Sequence, residues 1–213
     1  NAGITFIGPP AEAMRALGGK ISARKIMEEA GVPTVPGAND ISLDDFETAK
    51  READRIGFPL LVKASAGGGG RGIRLVQTAE DLEGAMRASA SEAASSFKDA
   101  TIFLEKYVSP ARHIEVQIVA DSHGNVRAFG ERECSVQRRN QKLVEEAPSV
   151  AVTPEIRKRI CDAAIAAAKS SGYRNAGTVE FLMDNDGNFY FLEVNARLQV
   201  EHPVSELVYG GVD

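Results

Sequence analysis

Glu180, Glu193 and Asn195 lie on two short apolar runs, 178–183 and 189–195, separated by an Asp186-Gly187 turn signal. If that turn holds two residues, Asn185 pairs with Asn188. Counting back then sets Glu180 directly across from Glu193, with Asn195 two residues further along the same face. Facing carboxylates repel unless something neutralises them. Two carboxylates and an amide oxygen are hard ligands suited to Mg²⁺ or Mn²⁺ held against nucleotide phosphates. The plainer alternative is a solvated face with each glutamate paired to a lysine. A slip of one residue at the turn would send the carboxylates to opposite faces.

A second candidate is the string from Lys63 through Gly67, Gly68, Gly69 and Gly70 to Arg71 and Gly72. Consecutive glycines between two strands remove side chains, so backbone N–H groups can approach a polyanion and the loop can move. The GxxxxGK[ST] spacing of a P-loop is absent, and the strand that follows argues against a dinucleotide fingerprint. A flexible hairpin loop is the alternative. Lys63, at the end of a buried strand, and Arg71 tip the balance toward phosphate.

Just past the second glutamate strand come Arg197, Gln199, Val200, Glu201 and His202. Arg197 offers a bidentate fork for a small planar oxyanion, and Glu201 is a candidate general base. On spacing alone, a charged surface loop explains this run equally well. The run Gln137 to Lys142 is cationic and reads as either a solvated patch or a source of charge for an anion site. His113, alone on a strand, is ambiguous.

The elements that must position these groups follow from periodicity and punctuation. Ile4–Ile7 reads as a strand, and helices are expected near 11–17 and over 20–30, the second stopped by Gly31. Residues 44–56 form a helix closed by Gly57 and Pro59. Short strands follow at 60–63, 73–76 and 102–106, with a helix over 79–96 between the last two. In 112–121, Ile114, Val116 and Ile118 alternate with His113, Glu115 and Gln117, a strand with one buried and one polar face. A turn at 121–125 leads to a returning strand, 126–133, and then to a polar stretch, 135–146. Thr153 caps a helix that has Pro154 at its first position and runs to about 170. A nucleotide-holding crevice between two sheets is the expected arrangement.

The bulk numbers agree. The chain has 213 residues, 43% hydrophobic and 26% charged, as in ordinary globular protein. A net charge of −5 argues against a nucleic-acid surface, and no apolar run reaches membrane-spanning length. Cys134 and Cys161 are widely spaced, which suggests free thiols rather than a zinc site. Both ends read as cuts through a longer protein.

Taken together, these strings resemble the biotin carboxylase component of biotin-dependent carboxylases, an ATP-grasp family. The resemblance covers essentially the whole chain. Its carriers are KASAGGGGRGIRLV (63–76), FLEKYV (103–108), RHIEVQ (112–117), ERECSVQRRNQKLVEEAPS (131–149), GTVEFL (177–182) and the very specific FLEVNARLQVEHPVSE (191–206). Acyl-CoA carboxylase α-type chains are the nearest type, with pyruvate carboxylase close to them.

The resemblance implies an α+β ATP-grasp fold, truncated at both ends. Residues 1–35 would close an N-terminal α/β region, 36–107 would form a lid subdomain, and 108–213 an incomplete central subdomain. It assigns Lys20, Lys63, Gly67–Gly72 with Arg71, Glu105, Lys106, Val108, His113, Gln137 and Leu182 to ATP. Glu180, Glu193 and Asn195 go to the metal; Lys142, Arg197, Gln199 and Val200 to bicarbonate; Glu201 to the catalytic base, with Arg197 and Lys142 beside it. The implied cofactors are ATP and Mg²⁺ or Mn²⁺, with biotin as carrier-bound substrate. The implied partners are a biotin carboxyl carrier domain, a carboxyltransferase and further copies of the full-length chain, in the cytoplasm or a mitochondrial matrix. Asn140 replaces a frequent His, Gly19 a frequent Asp, and the segment 209–213 is one Gly longer than the family pattern. The alternatives are another ATP-grasp ligase, such as a carbamoyl-phosphate synthetase half, and a non-catalytic nucleotide-binding module.

Overall fold

The computed structural model describes residues 3–65, 72–139 and 141–210. The chain divides into two compact units, residues 35–109 and residues 1–34 with 110–213.

The 35–109 unit is built on a four-stranded antiparallel sheet. Its strands are β1 (Gly37–Ile41), β2 (Leu60–Ala64), β3 (Ile73–Val76) and β4 (Ile102–Lys106), in the order β1-β4-β2-β3. Two helices pack on it, Phe46–Ile56 and Leu82–Phe97, and their small apolar faces meet Leu60, Val62 and Leu104 in one buried cluster. The first of them is capped by Asp45, which accepts from Thr48 N at 3.1 Å.

The other unit starts with the helices Ala11–Gly18 and Lys20–Glu29. It is built on a five-stranded antiparallel sheet of β5 (Arg112–Ala120), β6 (Val126–Arg138), β7 (Gln141–Glu146), β8 (Asn175–Met183) and β9 (Phe189–Asn195), in the order β7-β6-β5-β8-β9. The helix Pro154–Ser170 covers one face with an alanine-rich stripe over Ile114, Val116, Ile118, Val179 and Phe181. A short helix, His202–Val208, packs against β6. No helix among the described residues is long and apolar enough to cross a membrane.

Four expectations change. Ile4–Ile7 forms no strand, and Ile4, Phe6 and Ile7 are strongly exposed. No strand among the described residues pairs with this run, and an unpaired strand satisfies neither its backbone nor its apolar face. The polar face of β5 is not solvated, because Glu115 and Gln117 are as buried as Ile114 and Val116. The polar stretch after residue 133 is the continuation of β6 and the edge strand β7, whose Val136↔Val144 pairing the surrounding charge concealed.

The fourth concerns the β8–β9 hairpin. Its turn is longer than two residues: Asp184 N donates to Asn188 O at 2.9 Å, and Gly187 takes the left-handed conformation, φ 78°. Met183 therefore pairs with Phe189, and Phe181 with Phe191. Continued unbroken, this register would set Glu180 against Leu192. A bulge takes up Leu192 as an extra residue, and Glu180 faces Glu193 after all. The sequence count reached the right pair because a turn misread by one residue and an unforeseen bulge offset each other.

A further irregularity marks β6. Gly130 has φ 70°, and a Cβ placed on it would lie 1.6 Å from the Tyr209 hydroxyl. Only glycine leaves room there for the residue that ends the last helix.

Candidate functional site

The Glu180↔Glu193 pairing places both carboxylates on the face of the five-stranded sheet away from the alanine-rich helix. The alternation of β5 and β8 adds His113, Glu115, Gln117, Thr178 and Leu182 to that face, and the β5–β6 register adds Arg132. At its centre is the Lys142 ammonium. It donates to Glu115 Oε2 at 2.5 Å, Glu180 Oε1 at 2.7 Å and Glu201 Oε1 at 3.1 Å. Burial works against this charge, but the hydrogen bonds to Glu115 and Glu180 outweigh it and push the lysine pKa up.

Glu180 is the most heavily engaged group. Its Oε1 also accepts from Asn195 Nδ2 at 2.7 Å and from Gln199 Nε2 at 3.4 Å. His113 Nε2 meets its Oε2 at 2.7 Å. Burial alone would raise its pKa, yet His113 and Lys142 hold it at about 2. The histidine tautomer follows from its neighbours. Gln137 Nε2 lies 2.7 Å from Cys134 O, so that atom is the amide nitrogen, and it also reaches His113 Nδ1 at 2.8 Å. Nδ1 must therefore accept, leaving the proton on Nε2 to donate to Glu180.

Glu193 differs from Glu180. Solvent still reaches it, and no hydrogen bond among the described residues is made to its carboxylate. Crowding by protein and the facing Glu180 charge raise its pKa, while His113, Lys142 and, least, Lys20 at the start of the second helix oppose that rise. Glu115, Glu180, Glu193 and Glu201 thus outnumber the half-buried Lys142 and the buried Arg132. That excess of hard oxygen charge fits a divalent cation at Glu180, Glu193 and the amide oxygen of Asn195. His113, Glu115 and Glu180 also place possible ligand atoms within 4.8 Å of one another. Lys142 already bonds both of those glutamates, so this second grouping reads as a filled ion-pair cluster.

Of the expected residues after β9, Gln199 joins this cluster, whereas Arg197 and Val200 do not. The Arg197 side chain is exposed and donates to Leu198 O at 3.1 Å, and Val200 points into solvent. Gln199 is buried and holds both Glu180 and Arg132. In the 35–109 unit, Lys63 forms an ion pair with Glu105 across the sheet. Lys106 Nζ donates to Gly57 O and Phe58 O at 3.1 Å each, and its backbone N to Pro36 O at 2.8 Å. Val108 is half-buried. Gly72 is buried with φ 69°, and its carbonyl accepts from Ala64 N at 3.0 Å. Gly67, Gly68, Gly69, Gly70, Arg71 and Asn140 lie outside the described residues.

The sequence reading missed Arg132, which is wholly buried on the face that holds Lys142 and Glu180. Parity within β6 sets Arg132 on the face opposite Glu131 and Glu133, but which face that is depends on the β5–β6 register, which the sequence alone does not show.

Residues 19–213 match a family profile described as "Carbamoyl-phosphate synthase L chain, ATP binding domain". The chain belongs to this family. Within it, the chain is 55% identical over 207 residues to the chloroplastic biotin carboxylase of Arabidopsis thaliana, covering 97% of this chain and 38% of that protein. The structure of biotin carboxylase from Campylobacter jejuni, described as a β-γ-ATP complex, superposes with a TM-score of 0.87 at 52% identity, over 96% of this chain and 46% of that one. The biotin carboxylase domain dimer of 2-oxoglutarate carboxylase from Hydrogenobacter thermophilus, with MgADP, ADP and bicarbonate, gives 0.88 at 51% identity, over 99% and 46%. The fold is the α+β ATP-grasp fold that the motifs implied. The chain spans less than half the length of these relatives.

Proposed function

We propose that this chain is the ATP-binding core of a biotin carboxylase, which activates bicarbonate with MgATP and carboxylates N1′ of biotin on a carrier domain. The observation that carries this reading is Lys142 held among Glu115, Glu180 and Glu201, beside the Glu180–Glu193 pair. One cation against several carboxylates suits a site that must take up a metal–phosphate complex and a small anion together. The identity to named biotin carboxylases supports the carboxylase over a carbamoyl-phosphate synthetase half.

Glu180 and Glu193, with Asn195, would hold Mg²⁺ or Mn²⁺, which neutralises phosphate charge when bound. Lys20 and Lys63 supply positive charge for phosphate oxygens, and Gly67–Gly72 with Arg71 are assigned to the same phosphates. Glu105 to Val108 and Leu182 recognise the base; His113 and Gln137 complete the nucleotide contacts. Lys142, Arg197, Gln199 and Val200 form the bicarbonate pocket.

Glu201 takes the bicarbonate proton as a bicarbonate oxygen bonds to the γ-phosphorus and ADP leaves. The carboxyphosphate so formed breaks to CO₂ and phosphate, and the CO₂ bonds to N1′ of biotin as that nitrogen gives its proton to the released phosphate. Residues 36–107 act as the lid and 108–213 as the central subdomain. A carrier domain, a carboxyltransferase and a second copy are the expected partners, in the cytoplasm or a mitochondrial matrix.

The test is ATP hydrolysis by the full-length protein as bicarbonate and free biotin are varied. Bicarbonate- and biotin-dependent turnover is expected, with Glu201→Gln reducing it at least about a hundredfold. Normal turnover in that variant would remove Glu201 as the base.

A further inference from the structure

We propose that Arg132 is a positioning residue for the bicarbonate pocket, setting Lys142, Gln199 and Glu201 without touching substrate. The inference rests on the carboxylase reading above. Arg132 is completely buried, so it cannot meet a ligand itself. All five of its N–H donors are nonetheless used. Nε donates to Glu115 Oε1 at 2.6 Å. Nη1 donates to Gln117 Oε1 at 3.0 Å and to Ser205 Oγ at 2.8 Å. Nη2 donates to Thr178 Oγ1 at 3.3 Å and to Gln199 Oε1 at 3.1 Å. These acceptors come from β5, β8, the segment after β9 and the helix His202–Val208.

What those acceptors do next carries the argument. Glu115 gives its other oxygen to Lys142. Gln199, with its carbonyl fixed on Arg132, has its amide nitrogen turned toward Glu180. Ser205 belongs to the helix whose N-cap is Glu201. Gln199 therefore bonds the guanidinium directly, Lys142 stands one residue from it, and Glu201 starts a helix that the guanidinium grips. No other side chain spreads five donors in one plane, and a lysine ammonium has three on a flexible stem. A residue kept only to stabilise the sheet would be replaceable by apolar packing, since burying a charge is costly even when it is paired.

The experiment compares Arg132→Lys with the wild type in the full-length protein, reading the KM for bicarbonate and the KM for MgATP separately. The charge is kept and the fork is lost. The expected result is a bicarbonate KM raised at least about tenfold with an ATP KM within about twofold of wild type. Ser205→Ala removes one acceptor and carries the test if Arg132→Lys does not fold, with an expected rise of about two- to fivefold in the bicarbonate KM alone. If the folded variants lose thermal stability while both KM values stay at wild type, the role is structural and the inference is overturned. If wild-type ATP hydrolysis ignores bicarbonate, the carboxylase reading fails first and the inference falls with it.

Discussion

Both faces of the five-stranded sheet are buried at its centre, but they are held by different physics. One face lays Ile114, Val116, Ile118, Val179 and Phe181 under an alanine-rich helix, with Phe189 and Phe191 packed edge-on to Phe181. Burial there is non-directional, and stability follows volume and area. The other face sets Glu115, Gln117, Arg132, Thr178 and Glu180 against one another through hydrogen bonds. Burial there is favourable only if every donor has its acceptor, because an orphaned charge costs more than a pair gains. The apolar face can absorb repacking, whereas the polar face tolerates almost none, and the candidate site lies on the intolerant side.

The largest test of this contrast is to exchange the faces locally. Val179→Glu sets a carboxylate among Ile114, Val116 and Phe181 on the apolar face. An unpaired carboxylate forced into the apolar cluster should cost more than about 5 kcal/mol, seen as loss of a cooperative urea transition. Next is Phe181→Ala, a cavity on the apolar face, expected to cost about 3–5 kcal/mol by denaturant titration. If nucleotide binding by the folded fraction changes as much as stability does, the faces are not independent.

Smaller effects sharpen the boundary. Glu131 and Glu133 are charged residues on the apolar side, paired with Arg157 and Arg112. Burial pushes the Glu133 carboxyl up, but donors from Ser149, Arg112 and Ser135 more than offset this and hold it below its usual value. With the folded pKa depressed, its stabilisation is complete above the unfolded carboxylate pKa and is lost as pH falls through the folded one. Glu133→Gln should therefore lower the urea midpoint at pH 7 and flatten its fall between pH 5 and 3 (about the carboxylate range). The smallest effect is Thr153→Ala. It removes the hydroxyl that accepts from Ile156 N at 3.3 Å, at a cost of about 1 kcal/mol in stability with no change in ligand affinity.

The sequence was legible where one local rule dominated. Thr153-Pro154 announced a helix, and Leu60–Lys63 a strand, because capping and short apolar runs need no distant information. The pairing of Glu180 with Glu193 was legible only through a count that ignored both the real turn and the bulge, so it could not expose its own error. The polar face of β5 looked like a solvent face because alternation reports two faces and not what covers them. β7 was hidden for a related reason: an edge strand keeps apolar residues partly exposed among charges. Arg132 needed the register of two strands and the return of a helix some 70 residues later (its Ser205 contact spans 73), none of which is local.

Gly130 reaches further than its own strand. A seven-residue helix is too short to hold its own place. The notch left by the missing Cβ seats Tyr209 at one end, and Arg132 grips Ser205 midway. The sheet thus works as a jig for the helix, and Glu201 at the helix start inherits its alignment. The aim of Glu201 is set where β6 has no side chain at all, so a methyl group added at Gly130 would act as a lever on that carboxylate at the opposite end of the helix.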